Sequence, residues 1–261
     1  MKTSTKYGPL ISFIGILLLS IVSNRLGSIY ILENYTDDYS IHAIFDSVNN
    51  VILAGISYFF IRRYKLIDLA GLAKSKKLIY KSLLFFPLYL VLLNVLFADE
   101  IASSNLLRDG VILAVLCWSI GISEEYALRG FLQSYLIKNF ATTKKQVVYA
   151  VIGAAFIFGL LHLFKFDKGL YGELSQVAFA TFIGVMFGAL LLRTKRLWPL
   201  ILLHALIDFA AKMDEMGSPF TIGLNKSTDL ISAGVITLIV LPCFFFGWSI
   251  LRKKSYEALV D

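Results

Sequence analysis

The sequence predicts an all-α fold: a polytopic membrane helix bundle of about eight transmembrane helices, forming a single membrane domain over residues 1–261. Three observations carry this expectation. The chain is 57% hydrophobic and only 16% charged, and its mean hydropathy is strongly positive. Its apolar residues fall in long blocks, without the ten-residue alternation of an outer-membrane barrel. Backbone polar groups inside a bilayer must be satisfied within the segment, which leaves helices as the spanning element.

Eight blocks follow in order: Pro9–Ser23, Ala43–Ile61, Ser82–Phe97, Val111–Ile137, Val147–Phe164, Leu174–Leu192, Leu197–Ala211 and Leu230–Leu251. Several are shorter than the roughly 20 residues that cross a bilayer upright. Lys2 and Lys6 precede the first block in the manner of a secretory leader, but seven further blocks follow and no small-residue cleavage site precedes Asn24. The first block is therefore read as a retained span.

Of the 25 Lys and Arg, 18 fall in the N-terminus and in 62–81, 138–145, 193–196 and 252–254, which are alternate connections between the blocks. By the positive-inside rule this places both termini in the cytoplasm of a cell-membrane protein. The net charge of +7 is thus topogenic, and no nucleic-acid partner is implied. The connections 34–39 and 212–228 fall outside, and neither resembles a soluble domain. Cys117 and Cys243 lie within apolar blocks and read as buried thiols without a disulfide. In the sixth block Gly184 and Gly188 make a G-x-x-x-G step, read as packing within the chain in preference to dimerisation. Gly121, Gly130, Gly153 and Gly159 put further small residues on the helices that carry charges.

The fourth block contains Glu124, Glu125 and Arg129. An ionisable side chain at bilayer depth costs about 2.5–3.5 kcal/mol even on the mildest scale, so such a cluster is functional by default. Glu125 and Arg129 have the favourable i,i+4 order for an ion pair, which leaves Glu124 to find a partner on another helix. The chain has three histidines, and two of them, His162 and His204, lie inside the fifth and seventh blocks. Phe158 precedes His162 by one turn. Asp208 follows His204 at i,i+4, where it can accept an N–H from the imidazole and orient it. His42 and Asp46 share that spacing but stand at a polar block entrance, where solvated residues are expected.

The order E-E-x-x-x-R, F-x-x-x-H, H-x-x-x-D on successive apolar blocks resembles the CPBP (Abi) family of CAAX prenyl endopeptidases and bacteriocin-processing or immunity proteins. The resemblance spans residues 111–211, taken as the catalytic core. It implies an intramembrane endopeptidase with an eight-helix core, acting on a membrane-associated peptide or protein. Carried over by position, it makes Glu124 the acid/base, His162 its partner in holding the water, and His204 with Asp208 the oxyanion site, supported by the Glu125–Arg129 pair. The prenyl-protein branch usually has Asn where this chain has Asp208, which weakens the case for prenylated substrates.

Peptide hydrolysis needs a water, a base and a donor for the oxyanion. These residues supply all three without a cofactor, so a metal-free glutamic mechanism is favoured. Zinc held by Glu124, His162 and His204 is the alternative, against which stand the nearby Arg129 charge and the need for a second acceptor on each histidine. No zincin, serine-elbow or paired-aspartate motif is present. A non-hydrolytic immunity protein that binds a peptide in the same pocket is the rival function, and a transporter is disfavoured by the scarcity of helix-breaking prolines.

Overall fold

The computed structural model describes residues 4–253 apart from 76, 102, 165–167 and 222–226. Lys2, Lys76, Lys165, Lys226 and Lys254, which enter the charge count, lie outside the described residues. The described residues form helices and no strand. In order these are α1 (Ser4–Asn34), α2 (Tyr39–Arg63), a 3₁₀ turn (Lys81–Phe85) leading into α3 (Leu88–Leu96), α4 (Leu106–Glu125), a π-helical stretch (Tyr126–Gln133), α5 (Ser134–Phe140), α6 (Lys144–Leu161), α7 (Gly169–Thr194), α8 (Trp198–Ala211) and α9 (Leu230–Lys253). Each expected block lies on a helical segment. α4, the π stretch and α5 run on as one helix of 35 residues, and with α1, α2, α6, α7 and α9 it is long and apolar enough to cross a membrane. Lys81–Leu96 and Trp198–Ala211 are apolar but shorter. The protein is a multi-pass membrane helix bundle.

Helix starts follow their capping residues. The Asp38 carboxylate accepts the amides of Ser40 and Ile41 at the head of α2, Asn105 accepts that of Arg108 for α4, and Thr143 accepts that of Gln146 for α6. Helix ends at the basic face use the cations. Lys138 donates to the carbonyls of Tyr64 and Lys65 (2.9 and 3.2 Å), Lys6 to that of Asn139 (2.9 Å) and Lys144 to that of Arg252 (2.9 Å). These carbonyls close α2, α5 and α9, where unsatisfied oxygens and the negative end of the helix dipole favour a positive charge.

Packing is tightest around α7, whose Met186, Phe187 and Leu190 are fully buried, and around Phe13, whose ring stands 4.3 Å from that of Phe131 and 5.2 Å from that of Phe60. The G-x-x-x-G step seats α7 on α6 within the chain: a Cβ at Gly184 would come 2.7 Å from that of Ala155. Gly153 faces open space, so it serves no close approach. Cys117 and Cys243 are buried and free. Beneath the bundle, the segment after α2 folds inward, with Leu66 and Ala70 buried, and the amide of the buried Leu197 donates to the Gly71 carbonyl at 3.2 Å. α8 therefore starts inside the bundle.

Candidate active site

Starting depth decides which side chains can meet. Glu124 lies 16 residues before the end of the α4–α5 helix at Phe140, about 24 Å at 1.5 Å per residue. That helix is longer than a bilayer core, and α6 starts beside its overhanging end and packs along α5. The 18 residues of α6 then lift its C-cap, His162, by about 27 Å, to the level of Glu124. α8 reaches the same region from a start already inside the bundle, with His204 in its second turn. Gly121 lets α4 and α8 approach closely enough for the side chains to touch.

Glu124 Oε2 stands 3.4 Å from His204 Nε2. On the other side of the ring, His204 Nδ1 lies 2.9 Å from Glu125 Oε1, which also accepts from Arg129 Nη1 at 2.8 Å. Glu125 is fully buried and Arg129 is 3% exposed. The expected ion pair is therefore present, and Glu125 also takes the orienting role that spacing assigns to Asp208. Asp208 Oδ2 is 3.7 Å from His204 Nε2, beyond hydrogen-bond length, so it contributes charge beside the ring. Spacing along one helix could not reveal the shorter path through α4. A ring with a proton on each nitrogen meets a carboxylate on both sides.

The π stretch starts at the residue after Glu125 and carries Arg129. Such wide turns are frequent at functional sites. Ser134 Oγ satisfies the Arg129 carbonyl at 2.8 Å within it. Phe187 of α7 packs against both side chains, its ring 5.3 Å from the Arg129 guanidinium and 6.1 Å from the His204 ring. A desolvated cation over an aromatic face gains about 2 kcal/mol. Sequence reading missed Phe187, since an aromatic between two helix-packing glycines carries no chemical signal.

Glu124, Arg129, His162, His204 and Asp208 line one cavity of about 360 Å³. The cavity reaches from the buried Arg129 to the exposed Lys168 and Glu215. Lys212 lines it just beyond the end of α8. Burial alone would lower its ammonium pKa, but the carboxylates of Glu215, 3.4 Å away, and Asp208 outweigh this and hold it above the usual lysine range. His162 Nδ1 is 3.1 Å from the Phe158 carbonyl, and the two rings meet edge to face at 4.7 Å. His42 belongs elsewhere: it is buried, contrary to the expectation of a solvated entrance, with Nε2 on the Thr36 carbonyl (3.0 Å) and its ring stacked on Phe220 at 3.8 Å.

A zinc ion would need Glu124, His162 and His204 as ligands, with a second acceptor on each ring. Each histidine has a second acceptor after all, Glu125 for His204 and the Phe158 carbonyl for His162. Among the described residues, however, no three His, Cys, Asp or Glu side chains converge as a metal site.

Residues 107–210 match the family model described as Rce1-like, type II CAAX prenyl endopeptidase. That stretch, within which the three motifs lie, is similar to the Rce1-like family. No curated protein matches the chain. The Rce1-like segment opens one residue into α4 and closes one residue before the end of α8, so it contains all seven residues of the three motifs. It also contains Phe187 and the π stretch. The helices outside it, α1, α2, α3 and α9, supply the Phe13 core and the floor under α8. The Rce1-like stretch thus lies within a chain whose described residues hold six helices long and apolar enough to cross a membrane.

Proposed function

We propose that the chain is an intramembrane endopeptidase that hydrolyses a membrane-associated peptide or protein with a water activated by Glu124. The observation that carries this reading is the meeting of Glu124 and His204, from separate helices, across 3.4 Å in a cavity that His162 also lines. Burying each alone would cost free energy with nothing gained, whereas a hydrolytic site needs a base and a donor together.

In this mechanism Glu124, with His162 helping to hold the water, accepts one water proton as the oxygen adds to the scissile carbonyl carbon. The carbonyl π electrons move to oxygen, and His204 donates to that oxyanion from Nε2. Collapse breaks the C–N bond, and Glu124 returns the proton to the leaving amine. Glu125 holds the His204 ring, and Arg129 balances the acidic cluster. No metal enters any step. An ionised Asp208 cannot donate to an oxyanion, which turns the reading away from prenylated proteins and toward an unmodified peptide. A bacteriocin, matured or neutralised by cleavage, is a peptide of that kind.

The basic connections gathered at one end support an orientation with both termini in the cytoplasm of the cell membrane. The deciding experiment reconstitutes the full chain in vesicles with a peptide library and reads the products by mass spectrometry. Cleavage by the wild type that vanishes in Glu124→Gln is expected. Cleavage that persists in Glu124→Gln would overturn the assignment, and biological protection retained by that variant without cleavage would assign the pocket to peptide binding.

A further inference from the structure

Glu124 and His162 are walls of two cavities. The larger holds His204, Arg129 and Asp208; the smaller, of about 120 Å³, lies on the other side, bounded by α1, α2, α4 and α6. Its lining includes Ser20 and Asn24 of α1, Asn49 and Asn50 of α2, and Ser123 of α4. Phe158 stands in the partition between the two, beside Glu124 and His162.

Polar side chains at such a place need a reason. Asn50 has one, since its amide joins Ser119 (3.4 Å) and Ser123 (3.2 Å) and ties α2 to α4. Asn24 donates to Asp46 at 3.0 Å, but its Oδ1 is buried without a partner among the described residues. A buried amide oxygen left unpaired costs about 1–3 kcal/mol. Water removes that cost, and the volume suits it: a site needs about 10–15 Å³ of such space per water and a few polar partners. The rest of the wall, which includes Leu17, Leu53 and Leu128, offers such water no partner, so it would sit at the amides and hydroxyls.

We propose that this cavity is a water chamber that feeds Glu124 from the face opposite the substrate. The inference rests on the hydrolytic reading. The oxyanion donor His204 belongs to the larger cavity alone, so the scissile carbonyl lies there, and a peptide filling that space excludes water from it. Hydrolysis consumes one water per bond broken, and the chamber supplies it directly to the carboxylate and imidazole that activate it. Resupply between turnovers then needs no opening of the substrate cavity.

Two measurements on the full chain test this. In the first, Ser20→Leu fills the chamber and Ser20→Ala leaves it open, while Asn24→Leu removes its polarity and Asn24→Ser keeps it. With the library peptide that the wild type cleaves, Ser20→Leu and Asn24→Leu should each lower kcat by about tenfold or more with KM unchanged, and Ser20→Ala and Asn24→Ser should stay near wild type. An unchanged kcat in Ser20→Leu, or a rise in KM with kcat intact, overturns the chamber, the latter outcome marking a substrate subsite. In the second, Asn24→Cys is placed in a chain whose Cys117 and Cys243 are replaced by Ala, and treated with a small charged methanethiosulfonate in folded, vesicle-bound protein. Labelling is expected; an unreactive Cys at 24 shows a dry cavity and overturns the proposal whether or not any peptide is cleaved. A wild type that cleaves nothing would be the failure of the protease reading, and would remove the feeding role with it.

Discussion

A Cβ added to Gly121 would stand 2.8 Å from the carbonyl oxygen of Ile201, so α4 touches α8 backbone to backbone one turn from the acidic pair. Gly121→Val should therefore push α8 away and separate Glu124 from His204. Overpacking of this kind costs about 1–3 kcal/mol in stability. Cleavage by the folded fraction should be lost, while Gly153→Ala, which meets open space, keeps both folding and activity. Thermal melting and turnover of the two variants side by side check this.

Removing one member of the Glu125–Arg129 pair strands the other charge in a buried site. Glu125→Ala and Arg129→Ala should each cost about 3–5 kcal/mol, and the double variant Glu125→Met/Arg129→Met should cost less than the two losses added together. A melting series in detergent measures the coupling, and strict additivity would show that the pair does not interact.

His42→Ala should lower stability and leave chemistry alone. The ring is buried, stacked on Phe220 and bonded to the Thr36 carbonyl, and it joins the connection before α2 to that before α9. Melting should fall while kcat and KM of the folded protein stay at wild-type values. A loss of turnover without a loss of stability would bring His42 into the chemistry.

Asp229 heads α9, where its carboxylate accepts from the Ser232 hydroxyl at 2.6 Å and from the amides of Ile231 and Ser232. The Ser232 hydroxyl first, and then those amides, hold its pKa below the usual aspartate value. A carboxyl lowered on folding contributes stability above its unfolded pKa and loses it as pH falls through the folded value. Asp229→Ala should therefore melt below the wild type at neutral pH, and the two curves should converge under acid conditions.

Purified active protein should contain well below one zinc per chain, and cleavage should survive exhaustive chelation. Elemental analysis and a chelator titration decide between this and a metalloprotease, for which stoichiometric zinc and chelator-sensitive turnover would be required.

The sequence carried the bundle and the order of its blocks, because a bilayer leaves few ways to satisfy a backbone. It also carried the charged residues of the site, because ionisable groups inside apolar runs are conspicuous. What it could not carry was the path between helices. Glu125, given by spacing to Arg129 alone, also orients His204, and Asp208, given to His204 by spacing, stands farther off. Asn24 and Asn50 carry no signal along the chain, and only the placement of α1 and α2 beside Glu124 brings them to its cavity. His162 and His204 reach one cavity because α6 starts beside the end of the long α4–α5 helix and the residue before α8 is hydrogen-bonded to the segment after α2. Neither start is encoded in its own helix.

The lysines at the basic end hold helix carbonyls as well as carrying charge, and this ties biogenesis to architecture. An experimenter who exchanges Lys6, Lys138 and Lys144 for acids, hoping to flip the chain across the bilayer, also unfastens the last turns of α5, α2 and α9. The inverted molecule would face the other way with frayed ends and carboxylates pressed against carbonyl oxygens. The cations that the positive-inside rule counts and the clasps on the helix ends are the same atoms, so a charge exchange made to test orientation also tests stability.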